Sequence, residues 1–137
     1  MGFDFPPHVI QLKVPQAYID VFGHLNHAKY LDLFEEARWD LISSHGYGLK
    51  EIQTHRKGPV ILEASIRYKK ELKAFEKITI FTYAQKPTKK IGKIYQEMKN
   101  DATGEVCATI DLLYGLMDLN LRKLIQPTSE WVKGIGW

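Results

Sequence analysis

The stretch AYIDVFGHLNHAKYLDLFEEARWDL, Ala17 to Leu41, decides how this chain is read. Its first half is a short loop dense in groups able to do chemistry: Asp20, Gly23, His24, Asn26 and His27. Its second half is periodic. At about 100° per residue, Tyr30, Leu33, Phe34, Ala37 and Leu41 fall on one face, with Leu31 and Ile42 widening the arc. That is a helix more apolar than a surface helix, expected to begin near Asn26 or His27 and to run to about His45. Asn26 is a competent N-cap, because its side-chain oxygen can accept an exposed first-turn N–H. Gly46 and Gly48 supply the stop. The helix would be roughly 28 Å long.

The flanking segments have a different period. VIQLKV, Val9 to Val14, reads as a strand that Pro15 interrupts, whereas Leu49 to Gly58 is polar, a loop or short helix. From Val60 the pattern becomes two: Val60, Leu62, Ala64, Ile66 and Tyr68 alternate with Ile61, Glu63, Ser65, Arg67 and Lys69, a strand with one buried face. KITIFTYA (Lys77 to Ala84) is rich in β-branched and aromatic residues and reads as a strand. KIYQEMK (Lys93 to Lys99) alternates, NDATG (Asn100 to Gly104) is a turn, and EVCATIDLLYGLMDL (Glu105 to Leu119) pairs back as a long last strand. Gly115 within it marks a bulge or a close approach, and Pro127 begins the tail. A strand, a long helix and then strands joined by short turns make an α+β domain: an antiparallel sheet of about five strands wrapped around one central helix. Its edges are open to pairing with another subunit.

Composition sets the outer bounds. With 137 residues, 45% hydrophobic and 26% charged, the chain is expected to form a single domain, residues 1–137, with a real core. No apolar run approaches the roughly 20 residues of a membrane span. Met1 to Pro7 lacks the basic start and apolar centre of a signal peptide. The one cysteine, Cys107, can form no internal disulfide and lies mid-strand, where inert burial is the default; a reducing, cytoplasmic setting is expected. The net charge of +3 is modest. Lysines cluster at Lys69, Lys70 and Lys73 and again at Lys86, Lys89, Lys90 and Lys93. They are either solvated turns and strand ends or a weak site for phosphates. Without an arginine-rich arm or an aromatic nucleic-acid motif, neither a nucleic acid nor a membrane is expected as a partner.

The loop admits few chemistries. His24 and His27 are three apart and Asp20 is near, which superficially suits zinc, but the helix start falls among them and no second cluster supports them; no metal is expected. No G-x-S-x-G elbow is present. What remains is a carboxylate beside a helix N-terminus. Free N–H groups near Asn26 and His27 can polarise a carbonyl and hold its oxyanion. Asp20 can attack that carbonyl or deprotonate a water, and Gly23 lets the backbone pass close to a ligand. The bland alternative is that Asp20 only caps a turn. Glu35 and Arg38 are likewise either an i, i+3 ion pair on a half-buried helix or a polar pair facing an interior cleft.

DVFGHLNHAKY (Asp20 to Tyr30), followed by EEAR (Glu35 to Arg38), resembles the signature of hot-dog-fold acyl thioesterases. The nearest group is the 4-hydroxybenzoyl-CoA thioesterase-like acyl-CoA hydrolases; plant acyl-carrier-protein thioesterases are more distant. The resemblance spans nearly the whole chain and includes the ending RKLIQP (Arg122 to Pro127). It implies hydrolysis of an acyl-CoA, or an acyl carrier protein thioester, to a free acid and a thiol, with no cofactor. Asp20 would be nucleophile or general base. The His27 backbone N–H would polarise the thioester carbonyl, and His24 and Asn26 would position the loop, a water or the substrate. Tyr30 would wall the acyl pocket. Phe22 stands where the plant enzymes carry Asn, which argues against their mechanism and a plant-type carrier-protein substrate. A second hot-dog lineage places its acid on the helix, and Glu35 is the candidate for that role here. The resemblance also implies a homodimer or homotetramer with the acyl group at the interface; Lys89 and Lys90 are the candidates to meet the CoA phosphates. A non-catalytic acyl-thioester-binding module and a hydratase on the same fold are the rivals.

Overall fold

The computed structural model of the chain describes residues 6–137, so Met1 to Phe5 of the segment inspected for a signal peptide lie outside the described residues. In chain order it forms β1 (His8–Lys13), a 3-10 turn (Gln16–Tyr18), α1 (Lys29–Ser44), α2 (Leu49–His55) and β2 (Lys57–Tyr68). There follow β3 (Lys77–Ala84), β4 (Ile91–Asn100), β5 (Val106–Asp118), β6 (Lys123–Ile125) and α3 (Ser129–Gly134). The strands make one antiparallel sheet of six, ordered β1-β3-β4-β5-β2, with β6 added to the end of β5 where β4 stops. The sixth strand and the closing helix are additions to the expected five strands and one helix. Three residues are too few to show a period of two.

Tyr30, Leu33, Phe34, Ala37, Leu41 and Ile42 of α1 are all buried, as their spacing requires. Opposite them the sheet offers Ile78 and Ile80 of β3, Ile94 and Met98 of β4, and Ile110 and Leu112 of β5. The helix ends as its glycine predicts: Gly46 adopts φ 82°, the Gly46 N–H donates to Ser43 O and the Tyr47 N–H to Ile42 O. Its start is a correction. α1 begins at Lys29 rather than at Asn26 or His27, and its cap residue is Ala28, which has no side-chain hydrogen bond. Two constraints delay it. Leu25 is pinned in an extended bridge to Ile19, and Asn26 turns its side chain onto the Ala28 N–H at 3.0 Å, a local turn that competes with the helix.

β2 departs from strict alternation. It carries a bulge between Ile61 and Glu63, so Ile61, not Leu62, shares a side with Ala64, Ile66 and Tyr68, opposite Tyr114, Leu112, Ile110 and Ala108. Nor is that side hidden as expected: every residue from Ile61 to Ser65 is exposed. β2 is a sheet edge, and α1 packs over the β1–β3 side, leaving the edge uncovered. Gly115 marks a close approach rather than a bulge, since a Cβ there would stand 2.7 Å from Leu124 Cδ2. The tail docks through α3, whose Thr128 Oγ1 accepts the Trp131 N–H at 3.2 Å; the Trp131 ring packs edge-on to Tyr47 and Tyr114. Among the described residues no helix is long and apolar enough to cross a membrane.

Candidate active site

The loop before α1 is held by its own backbone. The Asp20 N–H donates to His24 O at 3.1 Å and the Gly23 N–H to Asp20 O at 3.0 Å, a tight reversal that puts Gly23 at φ 83°, where a side chain would be strained. The Leu25 N–H donates to Leu72 O at 2.7 Å, tying the loop to the β2–β3 connection. Within this frame Asp20 is half-buried and both its oxygens are engaged. Oδ1 accepts the Phe22 N–H at 2.9 Å, and Oδ2 accepts Asn26 Nδ2–H at 3.3 Å. Asp20 therefore does cap a turn, and it also lines a cleft of about 380 Å³ with Phe22, His24, His27, Tyr30 and Tyr68.

The cleft is polar at its rim and aromatic at its wall. Tyr30 and Tyr68 meet edge-on with ring centres 5.1 Å apart, and the Tyr68 hydroxyl donates to His27 O at 2.8 Å. The Tyr30 hydroxyl donates to Lys70 O at 3.2 Å. Burial foremost, then the neighbouring Cys107, Tyr68, Glu71 and Glu76, pushes the Tyr30 pKa up to about 12, so it is a donor and not a base near neutrality. The exposed His27 contributes its carbonyl to Tyr68, while its backbone N–H has no partner among the described residues. Cys107 is buried, and burial raises its thiol pKa, which keeps it protonated and unreactive.

Glu35 and Arg38 belong to a second cavity, about 150 Å³, between α1, β2, β4, β5 and α3. Arg38 turns inward: Nη1–H donates to Gln96 Oε1 at 3.0 Å, and the buried Gln96 amide donates in turn to Phe34 O and Thr82 Oγ1, both at 3.0 Å. Burial pulls the Arg38 pKa below its usual range, and Glu35 opposes that shift. The two do not close an ion pair; the inward-facing reading of this pair is the one the geometry supports. Glu35 lines this cavity and not the Asp20 cleft.

Asp20, Gly23, His24, Asn26, His27 and Tyr30 thus come together on one loop and the first turn of α1, and Glu35 stands apart from them. Lys89 and Lys90 are exposed in the β3–β4 turn, at the end of the sheet where Ile91 and Val60 both pair with Gly115. That is the far end of β2 from Tyr68; between Ile61 and Tyr68 the strand runs about 23 Å. Lys69 and Lys70, part of one of the two lysine clusters, line the Asp20 cleft, whereas Tyr68 and Gln96 carry no site signal in the sequence. Tyr68 was visible only as the last apolar member of an alternating run, with no signal that its hydroxyl reaches the loop.

The sequence profile of the thioesterase-like superfamily matches residues 14–134. The long-chain acyl-CoA thioesterase FadM of Escherichia coli (strain K12) is 28% identical over 120 residues, covering 88% of this chain and 90% of that protein. The crystal structure of YbaW, a probable thioesterase from Escherichia coli, superimposes with a TM-score of 0.80 at 26% identity, over 93% of this chain and 96% of that one. A hypothetical protein of Staphylococcus aureus, solved in complex with CoA, superimposes with a TM-score of 0.86 at 19% identity, over 94% and 81%. The fold is the hot-dog fold, here with six strands.

Proposed function

Because the chain belongs to the thioesterase-like superfamily, we propose that it hydrolyses an acyl-CoA thioester to a free acid and CoA. The observation that carries this reading is the half-buried Asp20 carboxylate sharing a cleft with His27, whose N–H is unpartnered two residues before α1 begins. The amide N–H and the adjoining helix end stabilise the negative oxygen that forms when a thioester carbonyl is attacked. Asp20 acts as general base: it takes a proton from water as the water oxygen bonds to the acyl carbon. The C–S bond then breaks and the proton passes to the departing sulfur. Both Asp20 oxygens are tethered by loop hydrogen bonds. Proton transfer through a water leaves those bonds in place, whereas direct attack would pull the carboxylate out of them.

Two chains paired antiparallel through β2, centred near Ala64 and Ser65, complete the site. Ile61, Leu62 and Tyr68 are 44%, 45% and 47% exposed on this unpaired edge, an apolar template for a second strand. The pairing sets the Tyr68 end of one β2 against the Ile61 end of the other. The Asp20 cleft of one copy then adjoins the 150 Å³ cavity and the Lys89–Lys90 turn of the second copy. On this reading the acyl group enters the cavity across the interface, and the two lysines, mobile point charges, attract the CoA phosphates. A homodimer is the smallest assembly that works.

A thiol-release assay over acyl-CoA and acyl carrier protein substrates, with enoyl-CoA absorbance followed in parallel, tests the proposal. Free CoA appearing in proportion to enzyme supports it. Tight acyl-CoA binding without thiol release, or hydration of the enoyl bond alone, would replace it.

A further inference from the structure

The turn between β5 and β6 is built to hold one leucine outward. Asp118 Oδ1 accepts the Asn120 and Leu121 N–H groups, both at 2.9 Å, and the Arg122 N–H donates to Asp118 O at 2.7 Å. Arg122 takes φ 58° to close the turn, and Leu121 at its tip is 67% exposed. Cations surround it. Lys57 of β2 and Lys123 of β6 both pair with Asp118 across the strands. Arg56 joins the turn through its Nε–H, which donates to Asn120 Oδ1 at 3.2 Å. Among the described residues none of Arg56, Lys57, Arg122 and Lys123 closes an ion pair. Asp118, the one carboxylate in the turn, is already engaged with two backbone N–H groups. The β3–β4 turn adds the exposed Lys89 and Lys90, followed by Ile91, 53% exposed. It meets β6 at Leu124: a Cβ on Gly115 would stand 2.7 Å from Leu124 Cδ2 and 3.1 Å from Lys90 O.

Cations and aliphatic tips on convex turns form neither a cleft for a small anion nor a groove for a peptide helix. They match an anionic bilayer, whose headgroups attract the cations while its acyl region accepts the apolar tip. The opposite end of the sheet also exposes apolar residues, Val21, Phe22 and Phe75. There, however, Glu71, Asp101 and Glu105 stand among the lysines, and Lys70 is paired with Glu105 at 3.4 Å. We infer that the β5–β6 turn docks on an anionic lipid surface, with Leu121 inserted and Arg56, Lys57, Arg122 and Lys123 on the lipid phosphates. Composition alone gives no reason to expect a membrane partner; the placement of these residues supplies one, and surface docking needs no spanning helix. On the hydrolase reading above, a docked chain releases its free acid where an acyl chain partitions.

Sedimentation of the intact chain with vesicles tests this. Phosphatidylcholine vesicles containing phosphatidylglycerol should carry the protein down at low salt and release it as salt rises, whereas phosphatidylcholine alone should not. Arg122→Asn combined with Lys123→Gln should weaken that partitioning at least about tenfold; Asn suits the left-handed backbone at position 122, so the turn is kept. Leu121→Ser should weaken it about fivefold. Circular dichroism and vesicle-free thiol release from butyryl-CoA should match the parent in both variants. Equal sedimentation with neutral vesicles, no sedimentation with either kind, or partitioning that either variant leaves unchanged would overturn the inference. So would binding to an immobilised acyl carrier protein that the double variant abolishes, without vesicle binding, since the surface would then fit an acidic protein. The readout is binding, so it stands or falls whether or not any thioester is cleaved.

Discussion

Asn26 bridges Asp20 to the helix: its Nδ2–H donates to Asp20 Oδ2 at 3.3 Å while its Oδ1 accepts the Ala28 N–H at 3.0 Å. One side chain thereby fixes the carboxylate relative to the N–H groups expected to hold an oxyanion. Asp20→Asn should preserve circular dichroism and lower kcat on the best acyl-CoA by on the order of a hundredfold or more. Asn26→Ala keeps the carboxylate but frees it, and should lower kcat by on the order of tenfold. Near-parental turnover of Asp20→Asn would move the search for the acting acid to Glu35.

Lys89 and Lys90 stand too far along the sheet to serve the Asp20 cleft of their own chain. Replacing both with Ala should raise KM for acyl-CoA several-fold and flatten its dependence on salt, because two point charges near phosphates are lost. Matched KM values at low and high salt would remove them from the site.

Ala64 is exposed near the middle of β2. Ala64→Arg places two like charges together at the proposed axis and leaves the isolated chain intact. Light scattering after size exclusion should then report the 15.8 kDa chain mass, with thiol release lost alongside. A fully active monomer would refute the shared site.

Burial raises the pKa of Tyr30 and of Tyr114 from 10.0 to about 12. Between those values the folded chain keeps protons that the unfolded chain has released. Stability is therefore full below pH 10 and falls as pH rises toward 12. Urea unfolding at pH 9 and pH 11 measures the slope, and Tyr114→Phe should make it shallower.

The chain's periodicities revealed the elements well where one face met a core. The apolar arc of α1 and the NDATG hairpin read correctly because burial and backbone conformation leave local marks. The start of α1 did not, since Asn26 serves equally as a cap or as a turn residue and only the Ile19–Leu25 bridge decides between them. β2 misled for a different reason: alternation reports that one side is apolar, and not whether the same chain covers it. The Asp20 loop was legible as a cluster because its members are neighbours in sequence. Tyr68 and Gln96 were not, because they reach the loop and the helix respectively across contacts 41 and 62 residues long. The family resemblance pointed to the loop, and geometry alone separated Glu35 from it.

The extra residue in β2 has a consequence for how chains of this kind tolerate insertion and deletion. Removing Leu62 would restore an unbroken pleat with Ile61 still opposite Tyr114 and Tyr68 still opposite Ala108. Removing one residue between Glu63 and Tyr68, where the pleat is already regular, would instead swing Tyr68 to the opposite surface and take its hydroxyl from the His27 carbonyl. The β3–β4 turn faces no such parity condition and can change length freely. Loss of a single residue should therefore be tolerated at the bulge and not between Glu63 and Tyr68.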